Sequence, residues 1–294
     1  MLAGYLAGYF RLFEPLASKL LGRFVFLVAM PAFIFISLAG VPLADFFNWP
    51  FLLVLGAGML AVFCISFIVA RYFFPDSLTV YSLHALTATF SSTAYIGLPI
   101  ILIVFGDEGL VPGIIGAVIT IALFMPLAII LIEFDRGNHG ITVVKKSLAA
   151  VLRNPLLLAT VSGLAVSASG FSLPAPISSF FLLLGDAFIP CALFSAGLFI
   201  SGCSVKGEVQ EISWLVFAKL ILHPLITWWL AYHVFELDGV LAAIAVFQAA
   251  LPSGVPVFVL AQNYGRFVTR SSAVIALSTL LSIVTLPLLL FFLV

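Results

Sequence analysis

Charged residues are scarce in this chain. Lys, Arg, Asp and Glu make up 8% of its 294 residues, whereas an ordinary soluble domain has about 25%. Hydrophobic residues account for 64%, and several apolar runs exceed the ~20 residues that a helix needs to cross a bilayer. The composition therefore excludes a soluble globular domain and predicts an all-α polytopic membrane protein.

The residue patterns that catalysis and metal binding require are also missing. The three cysteines, Cys64, Cys191 and Cys203, lack the spacing of a disulfide framework or a metal site. No nucleophile and base, His or Asp cluster, or diphosphate-binding motif occurs at a workable spacing. No loop has the cluster of basic residues that would recognise nucleic acid or anionic lipid. We therefore expect no enzyme activity, no metal, no cofactor and no nucleic-acid partner, with lipid as the surrounding medium.

Hydropathy predicts ten membrane spans. Their ranges are 1–10, 20–40, 51–74, 79–105, 109–133, 153–170, 183–202, 212–235, 239–262 and 271–294. The first is too short to cross a bilayer. Two explanations stay open for it, a truncated first helix and a misassigned start.

The second half of the chain repeats features of the first at a nearly constant offset. Pro31 and Pro190 are 159 residues apart, and Pro126 and Pro287 are 161 apart. The same offset places Gly4 opposite Gly163. We predict repeat one at 1–138, a cytoplasmic connecting loop at 139–152 and repeat two at 153–294. Five helices in each repeat require the two repeats to be inverted in the membrane.

Basic residues fall on one side of this predicted topology. Eleven of the 12 lie in alternate loops, and the other loops contain none: Arg11, Lys19, Arg23, Arg71, Arg136, Lys145, Lys146, Arg153, Lys206, Arg266 and Arg270. Cytoplasmic loops are enriched in Lys and Arg. The distribution predicts a cytoplasmic-membrane protein with both termini outside the cytoplasm.

Two apolar spans, the fourth and the ninth, contain matching interruptions. Gly97-Leu98-Pro99 lies in one, and Gly254-Val255-Pro256 lies in the other, 157 residues later. Paired breaks of this kind mark the binding site of many transporters, where half-helix N-termini face anionic ligands. The predicted substrate-binding residues surround these breaks: Thr89, Ser91, Ser92, Thr93, Tyr95, Gly97, Pro99, Gln248, Pro252, Ser253, Gly254 and Pro256. For each hydroxyl group, a bond back to a carbonyl one turn earlier is the alternative, and Gln248 could instead bond between helices.

Few ionisable residues lie inside the spans, and these are candidates for charge or proton coupling. Lys219 and His223 are one turn apart on one helical face, and His84 lies two turns before Ser92. Lys219 would attract a carboxylate, exchange a proton or extend its side chain to the cytoplasmic interface. Neither 86–99 nor 246–260 contains a carboxylate, which argues against simple cation exchange.

Several segments resemble the auxin efflux carrier family, which includes plant auxin exporters and bacterial malonate and malate carriers. They are Asn154-Pro155, Gly185-Asp186, Tyr95-Ile96-Gly97-Leu98-Pro99 and Ala250-Leu251-Pro252-Ser253-Gly254-Val255-Pro256. The resemblance runs nearly end to end and implies two inverted repeats with crossed broken helices, as in sodium/proton antiporters and bile acid symporters. It also implies a scaffold, a mobile transport bundle and dimers formed through the scaffold. Ser92 and Ala94 depart from the family pattern, which has Asn and Gly there.

Three functions are compatible with these features. The favoured one is a secondary active transporter of small organic anions, such as carboxylates or auxin-like weak acids, working by elevator-type alternating access. The second is a sodium-coupled organic-anion symporter, and the third is a membrane sensor or scaffold without transport activity. The coupling ion would be H⁺ or Na⁺.

Overall fold

A computed structural model describes residues 1–137, 141–203 and 208–293 of the chain. The described part is helical and contains no β-strand. Its α-helices are α1 (Leu2–Tyr9), α2 (Pro15–Phe24), α3 (Met30–Leu38), α4 (Leu43–Phe46), α5 (Trp49–Phe73), α6 (Leu78–Thr89), α7 (Leu98–Phe105), α8 (Leu110–Ile119), α9 (Met125–Asp135), α10 (Ile141–Leu152), α11 (Pro155–Ser169), α12 (Ala175–Asp186), α13 (Phe188–Ser201), α14 (Val209–Phe217), α15 (His223–Trp229), α16 (Gly239–Ala250), α17 (Val255–Tyr264) and α18 (Val268–Leu293).

Six helical segments of the described residues are long and apolar enough to cross a membrane. They are Leu16–Leu38, Trp49–Phe73, Thr93–Asp135, Ala175–Ser201, Val209–Val234 and Val268–Leu293. Pro155–Ser169 and Gly239–Ala250 are apolar but shorter. The prediction of an all-helical, multi-pass membrane protein is therefore confirmed. Residues 139 and 140 of the predicted connecting loop lie outside the described residues, as does Lys206 of another basic loop. The rest of the predicted loop, 141–152, forms helix α10.

Wide helical turns precede four of the prolines. The π-helical turns Val25–Ala29, Thr93–Gly97, Thr120–Phe124 and Ala218–Leu222 each end two residues before a proline. A proline lacks the N–H of a regular turn, and its ring clashes with the carbonyl four residues earlier. A single π-turn relieves that clash without ending the helix. These long helices therefore continue past their prolines.

One of these turns corrects a prediction. Gly97 has helical dihedral angles, φ −66° and ψ −57°, and Pro99 lies in the first turn of α7. Gly97-Leu98-Pro99 therefore does not interrupt its helix. The interruption in this segment lies several residues earlier, at 90–92, between α6 and the π-turn Thr93–Gly97.

The described chain forms two compact units. Unit 1 comprises Met1–Asn48, Ala94–Ile114 and Ala150–Cys203, and unit 2 comprises Trp49–Thr93, Ile115–Ala149 and Ser204–Val294, of which 138–140, 204–207 and 294 are not described. Both sequence halves contribute to each unit.

In unit 1, glycines allow two pairs of helices to approach closely. α1 packs on α13, and α11 packs on α3. A Cβ atom at Gly4 would overlap the backbone carbonyl of Phe194, and one at Gly163 would lie 2.8 Å from the carbonyl oxygen of Phe35. Small residues at such positions are typical of helix contacts in membranes. Gly163 follows Gly4 by 159 residues, and Phe194 follows Phe35 by the same number.

In unit 2, polar groups lie within the helical core. α5 packs on α6 and α15, α6 packs on α9, and α16 packs on α15, α5 and α18. Phe51 and Phe247 are fully buried, as are the ionisable side chains of His84, Glu211 and Lys219. Buried charged groups are costly in membrane proteins and are a first indication of function.

Candidate functional site

Two interruptions of the helical chain, one after α6 and one after α16, meet within unit 2. Between α6 and the turn that begins at Thr93, and between α16 and α17, the chain is extended, and Ser91 and Ser253 form an antiparallel pair. The Ser92 N–H donates to the Pro252 carbonyl oxygen over 2.9 Å, and the Gly254 N–H donates to the Phe90 carbonyl oxygen over 2.9 Å. We call these extended residues, 90–92 and 251–254, the crossing.

The second interruption coincides with its predicted motif. Gly254 precedes α17 with extended dihedral angles, φ −87° and ψ 143°, and Pro256 lies in the first turn of that helix. An N–H is not needed at that position, so the proline fits there. A Cβ at Gly254 would lie 2.7 Å from the Phe90 ring. Glycine is therefore required by the close approach of the two segments.

The crossing satisfies several of its own polar groups. The Ser253 hydroxyl donates to the Thr87 carbonyl oxygen over 2.7 Å, and the Ser253 N–H donates to Ser278 Oγ over 3.2 Å. Three N–H groups at the crossing, those of Ser92, Ser253 and Gly254, are thus bonded within unit 2. They stabilise the extended segments.

The hydroxyl groups around the first interruption have different environments. Thr89 donates to the Ala85 carbonyl oxygen over 2.9 Å, which is the local alternative considered from the sequence. Ser91 accepts a hydrogen bond from Lys219, and Ser92 is buried. The hydroxyl of Thr93 is buried, and its Oγ1 has no hydrogen-bond partner among the described residues. An unpaired buried hydroxyl costs about 1–3 kcal/mol, so Thr93 is the strongest candidate ligand in this group.

Lys219 reaches the crossing from the π-turn Ala218–Leu222. Its side chain is fully buried, and its Nζ lies 2.9 Å from Ser91 Oγ, 2.7 Å from the Ala249 carbonyl oxygen and 3.2 Å from His223 Nδ1. The predicted proximity of Lys219 and His223 is confirmed. The alternative in which Lys219 extends to the membrane interface is wrong, because its ammonium group bonds inside unit 2.

Gln248 is also fully buried, in the last turns of α16. A Cβ atom at Gly116 would overlap Oε1 of its amide. The amide therefore packs directly against the backbone of α8, and the absence of a side chain at Gly116 makes room for it.

The other predicted site residues belong to unit 1. Tyr95, Gly97 and Pro99 all fall within Ala94–Ile114. The Tyr95 hydroxyl donates to the Gly22 carbonyl oxygen over 3.1 Å. Within unit 1 this bond gives Tyr95 a structural partner.

His84 lies in a separate charged cluster of unit 2. His84 Nε2 is 3.9 Å from Glu211 Oε1, and Arg270 donates to Glu211 Oε2 over 2.8 Å and lies 3.6 Å from Asp76. Glu211 is fully buried, whereas about a quarter of the Arg270 side chain is exposed. No group of three or more potential metal ligands was found among the described residues.

Comparison with known proteins assigns the family. Residues 1–290 match the family described as "Membrane transport protein". The chain belongs to this family. Among similar sequences, a protein of Rhizobium meliloti (strain 1021) named as a candidate malonate transporter is 28% identical over 271 residues, which cover 90% of this chain and 83% of that protein. The uncharacterized transporter YfdV of Escherichia coli (strain K12) is 26% identical over 98% of this chain and 92% of its own length.

The transporter also has a partial match to a plant protein. Auxin efflux carrier component 1 of Arabidopsis thaliana is 30% identical over 120 residues, which cover 39% of this chain and 19% of that protein. The predicted kinship with the auxin efflux carrier family is confirmed, and so is the prediction of a transporter and not an enzyme. Membership of a transport family also argues against a sensor or scaffold.

Sequence reasoning missed several residues of the transporter's polar core. Glu211 and Arg270 fall between the predicted spans, although they form an ion pair whose carboxylate is fully buried. Ser278 was overlooked because it is one of four serines in α18, and the local sequence does not distinguish it from the others. The acidic residue next to the predicted span 212–235 could have indicated the first of these, since a carboxylate at a span boundary requires a partner.

Proposed function

We propose that this membrane protein is a secondary active transporter of small organic anions, such as carboxylates or auxin-like weak acids, and that the substrate binds at the crossing in unit 2. The observation that carries the proposal is the pairing of Ser91 with Ser253. Within unit 2 it places the N-terminus of the half-helix α17 at the crossing, together with Thr93 of the other chain segment. Such termini carry partial positive charge and bind anions.

The charge around the crossing supports an anionic substrate. No Asp or Glu occurs in 86–99 or 246–260, and the Lys219 ammonium lies beside Ser91. Lys219 is fully bonded and buried, so its contribution would be a positive potential and not a direct contact. Thr93 Oγ1, which lacks a partner among the described residues, would donate to the substrate. The names of relatives, a candidate malonate transporter and an auxin efflux carrier, agree with this class of substrate.

Packing within each unit supports the inverted-repeat architecture of ten spans. In unit 1, Gly4 packs on Phe194 while Gly163 packs on Phe35, and both pairs of equivalent residues are 159 apart. An internal two-fold axis would produce this exchange of partners. In unit 2, the reciprocal bonds of the crossing have the same relation, with an offset of 162 between Ser91 and Ser253. The distribution of Lys and Arg supports both termini outside the cytoplasm, in the cytoplasmic membrane.

Alternating access would use the two units differently. We propose that unit 2 carries the substrate as an elevator, because its crossing links both sequence halves through main-chain bonds. Unit 1 would be the scaffold, as the resemblance implies, and would form a homodimer. The coupling ion would be H⁺ or Na⁺, and sodium-coupled symport is the alternative that sodium-dependent uptake into proteoliposomes would support.

A binding measurement tests the site directly. Purified transporter titrated with malonate should show a saturable rise in melting temperature, because a ligand that binds only the folded state stabilises it. Thr93→Val should weaken malonate binding by about tenfold or more, since one hydrogen bond to a charged group is worth about 1.5–3 kcal/mol. Thr89→Val is the matched control, because its hydroxyl already bonds to Ala85.

The outcomes separate the substrate class from the site. If wild-type protein responds to malonate and Thr93→Val responds equally, the site assignment is wrong. If no carboxylate or auxin-like acid stabilises wild-type protein, the proposed substrate class is wrong.

A further inference from the structure

The Lys219 ammonium has the surroundings of a bound cation. Its three neighbours are a hydroxyl oxygen, a main-chain carbonyl oxygen and an imidazole nitrogen, at 2.7–3.2 Å. An ammonium group has three N–H donors and no acceptor, so the three neighbours match it one for one. His223 Nδ1 completes the set when its proton is on Nε2.

No carboxylate of the described residues forms an ion pair with this ammonium. Among the described residues, the ion pairs of unit 2 involve His84, Glu211, Arg270 and Asp76, and none includes Lys219. The nearest source of negative potential is the C-terminal end of α16, because Ala249 lies in its last turn. The final carbonyl groups of a helix carry partial negative charge and lack partners within the helix.

These ligands are of the kind that hold monovalent cations in transporters. Carbonyl groups of unwound segments and C-terminal ends of half-helices coordinate sodium in other transporter folds. In this protein the same kind of position, where α16 ends at the crossing, is filled by a side chain of the chain itself.

We propose that Lys219, when protonated, is a tethered cation that fills a monovalent-cation site at the crossing, so that the protein binds no free sodium there. The site rests on the contacts of Lys219 alone. Its consequence, transport of the organic anion without sodium at this position, rests on the proposed function. Ser91 links the two, because it both accepts from Lys219 and pairs with Ser253.

The first test uses the unaltered protein. Its melting temperature is measured in NaCl and in N-methylglucamine chloride at equal ionic strength. We expect equal melting temperatures, since the site is already filled. A saturable rise with sodium, absent with the larger cation, would overturn the proposal if substitution of Ser91 by Ala abolished it.

The second test removes the Lys219 ammonium group from the proposed cation site. Lys219→Ala should lower the melting temperature by about 5 °C or more, because three buried acceptors lose their donor. Methylammonium or sodium should then restore a saturable part of that loss, since a cation can occupy the vacated position. Lys145→Ala is the control, because Lys145 is exposed on α10 and its replacement should create no cation response.

A second variant keeps the test decisive if Lys219→Ala does not fold. Lys219→Met retains most of the side-chain volume but removes the charge, and it should be less stable than wild type without any rescue by cations. Cation rescue of Lys219→Met equal to that of Lys219→Ala, or no rescue of a folded Lys219→Ala protein, would contradict the tethered-cation role.

The readout does not depend on the organic substrate. Cation-dependent stability of Lys219→Ala together with no carboxylate binding by wild type would support the cation site and refute the proposed substrate class. Carboxylate binding by wild type, together with a folded Lys219→Ala protein whose melting temperature does not change with cations, would support the substrate class and refute the cation site.

Discussion

Ser91 and Ser253 face each other as an antiparallel pair, although they are 162 residues apart in the sequence. Each lies in a short extended segment between two helices, and main-chain bonds on both sides of the pair hold those segments together. The hydroxyl of Ser91 accepts from Lys219, and that of Ser253 donates to Thr87. The crossing is therefore fixed by backbone and side-chain bonds at once.

Substitution at Gly116 should displace the Gln248 side chain without changing residue 248 itself. In Gly116→Ala the new methyl group would overlap Gln248 Oε1, so the amide must move away from α8. We expect a loss of stability of about 1–3 kcal/mol, typical of overpacking, and a reduced rate of substrate uptake into proteoliposomes. Gly56→Ala is the control, because a Cβ there meets no atom within 4 Å. It should leave uptake unchanged and raise stability by about 0.5–1 kcal/mol.

Substitution at Gly254 should separate the two segments of the crossing. A Cβ in Gly254→Ala would lie 2.7 Å from Cδ1 of Phe90, so either the ring or the backbone must shift. We expect thermal denaturation at a lower temperature and a lower affinity for substrate. Combining this change with Phe90→Leu should recover part of both losses, because the smaller side chain makes room. Additive effects of the two substitutions would show that the contact with Phe90 is not the cause.

The pair between Arg270 and Glu211 should matter for stability. Arg270→Met removes the 2.8 Å bond to the buried carboxylate of Glu211, leaving that group without its charged partner. Because Arg270 is partly exposed, solvent moderates the cost, and we expect a loss of about 1–3 kcal/mol. Adding Glu211→Gln should restore some stability, since an amide is cheaper to bury than a carboxylate. Urea or thermal denaturation measures both, with Arg71→Met, an exposed position on α5, as the reference.

Tyr95 should prove to be a structural residue. Its hydroxyl bonds to the Gly22 carbonyl oxygen within unit 1, so Tyr95→Phe should cost about 1 kcal/mol of stability. We expect the apparent affinity for substrate to stay the same in a flux assay. A large fall in affinity with unchanged stability would instead restore Tyr95 to the binding site.

The helical architecture could be predicted because hydrophobicity alone dictates it. A chain with 8% charged residues can bury its apolar runs only in a bilayer, where helices satisfy their own backbone groups. The repeat offset placed Gly4 opposite Gly163 but predicted no contact for either glycine. Local sequence could not show what those glycines touch, because Phe194 and Phe35 are distant in the chain.

The candidate site could be predicted only where the local sequence determines the backbone. Gly254 and Pro256 mark a real interruption, since glycine permits the close approach to Phe90 and proline starts the next helix. The interruption predicted from Gly97 and Pro99 is wrong, because a π-turn accommodates the proline and the helix continues. The true first interruption contains no glycine or proline, and contacts with the second interruption hold it open. Hydrogen bonds between segments so far apart in the chain cannot be predicted from the local sequence of either segment.

The reciprocal bonds of the crossing also constrain how the protein is made. When Phe90 and Ser92 emerge from the ribosome, their main-chain partners, Gly254 and Pro252, have not yet been synthesised. Until then the extended segment has backbone groups that the lipid interior cannot satisfy. Assembly of unit 2 must therefore come late in biosynthesis, after the ninth predicted span has been inserted, and the first half of the chain depends on the second to complete its fold.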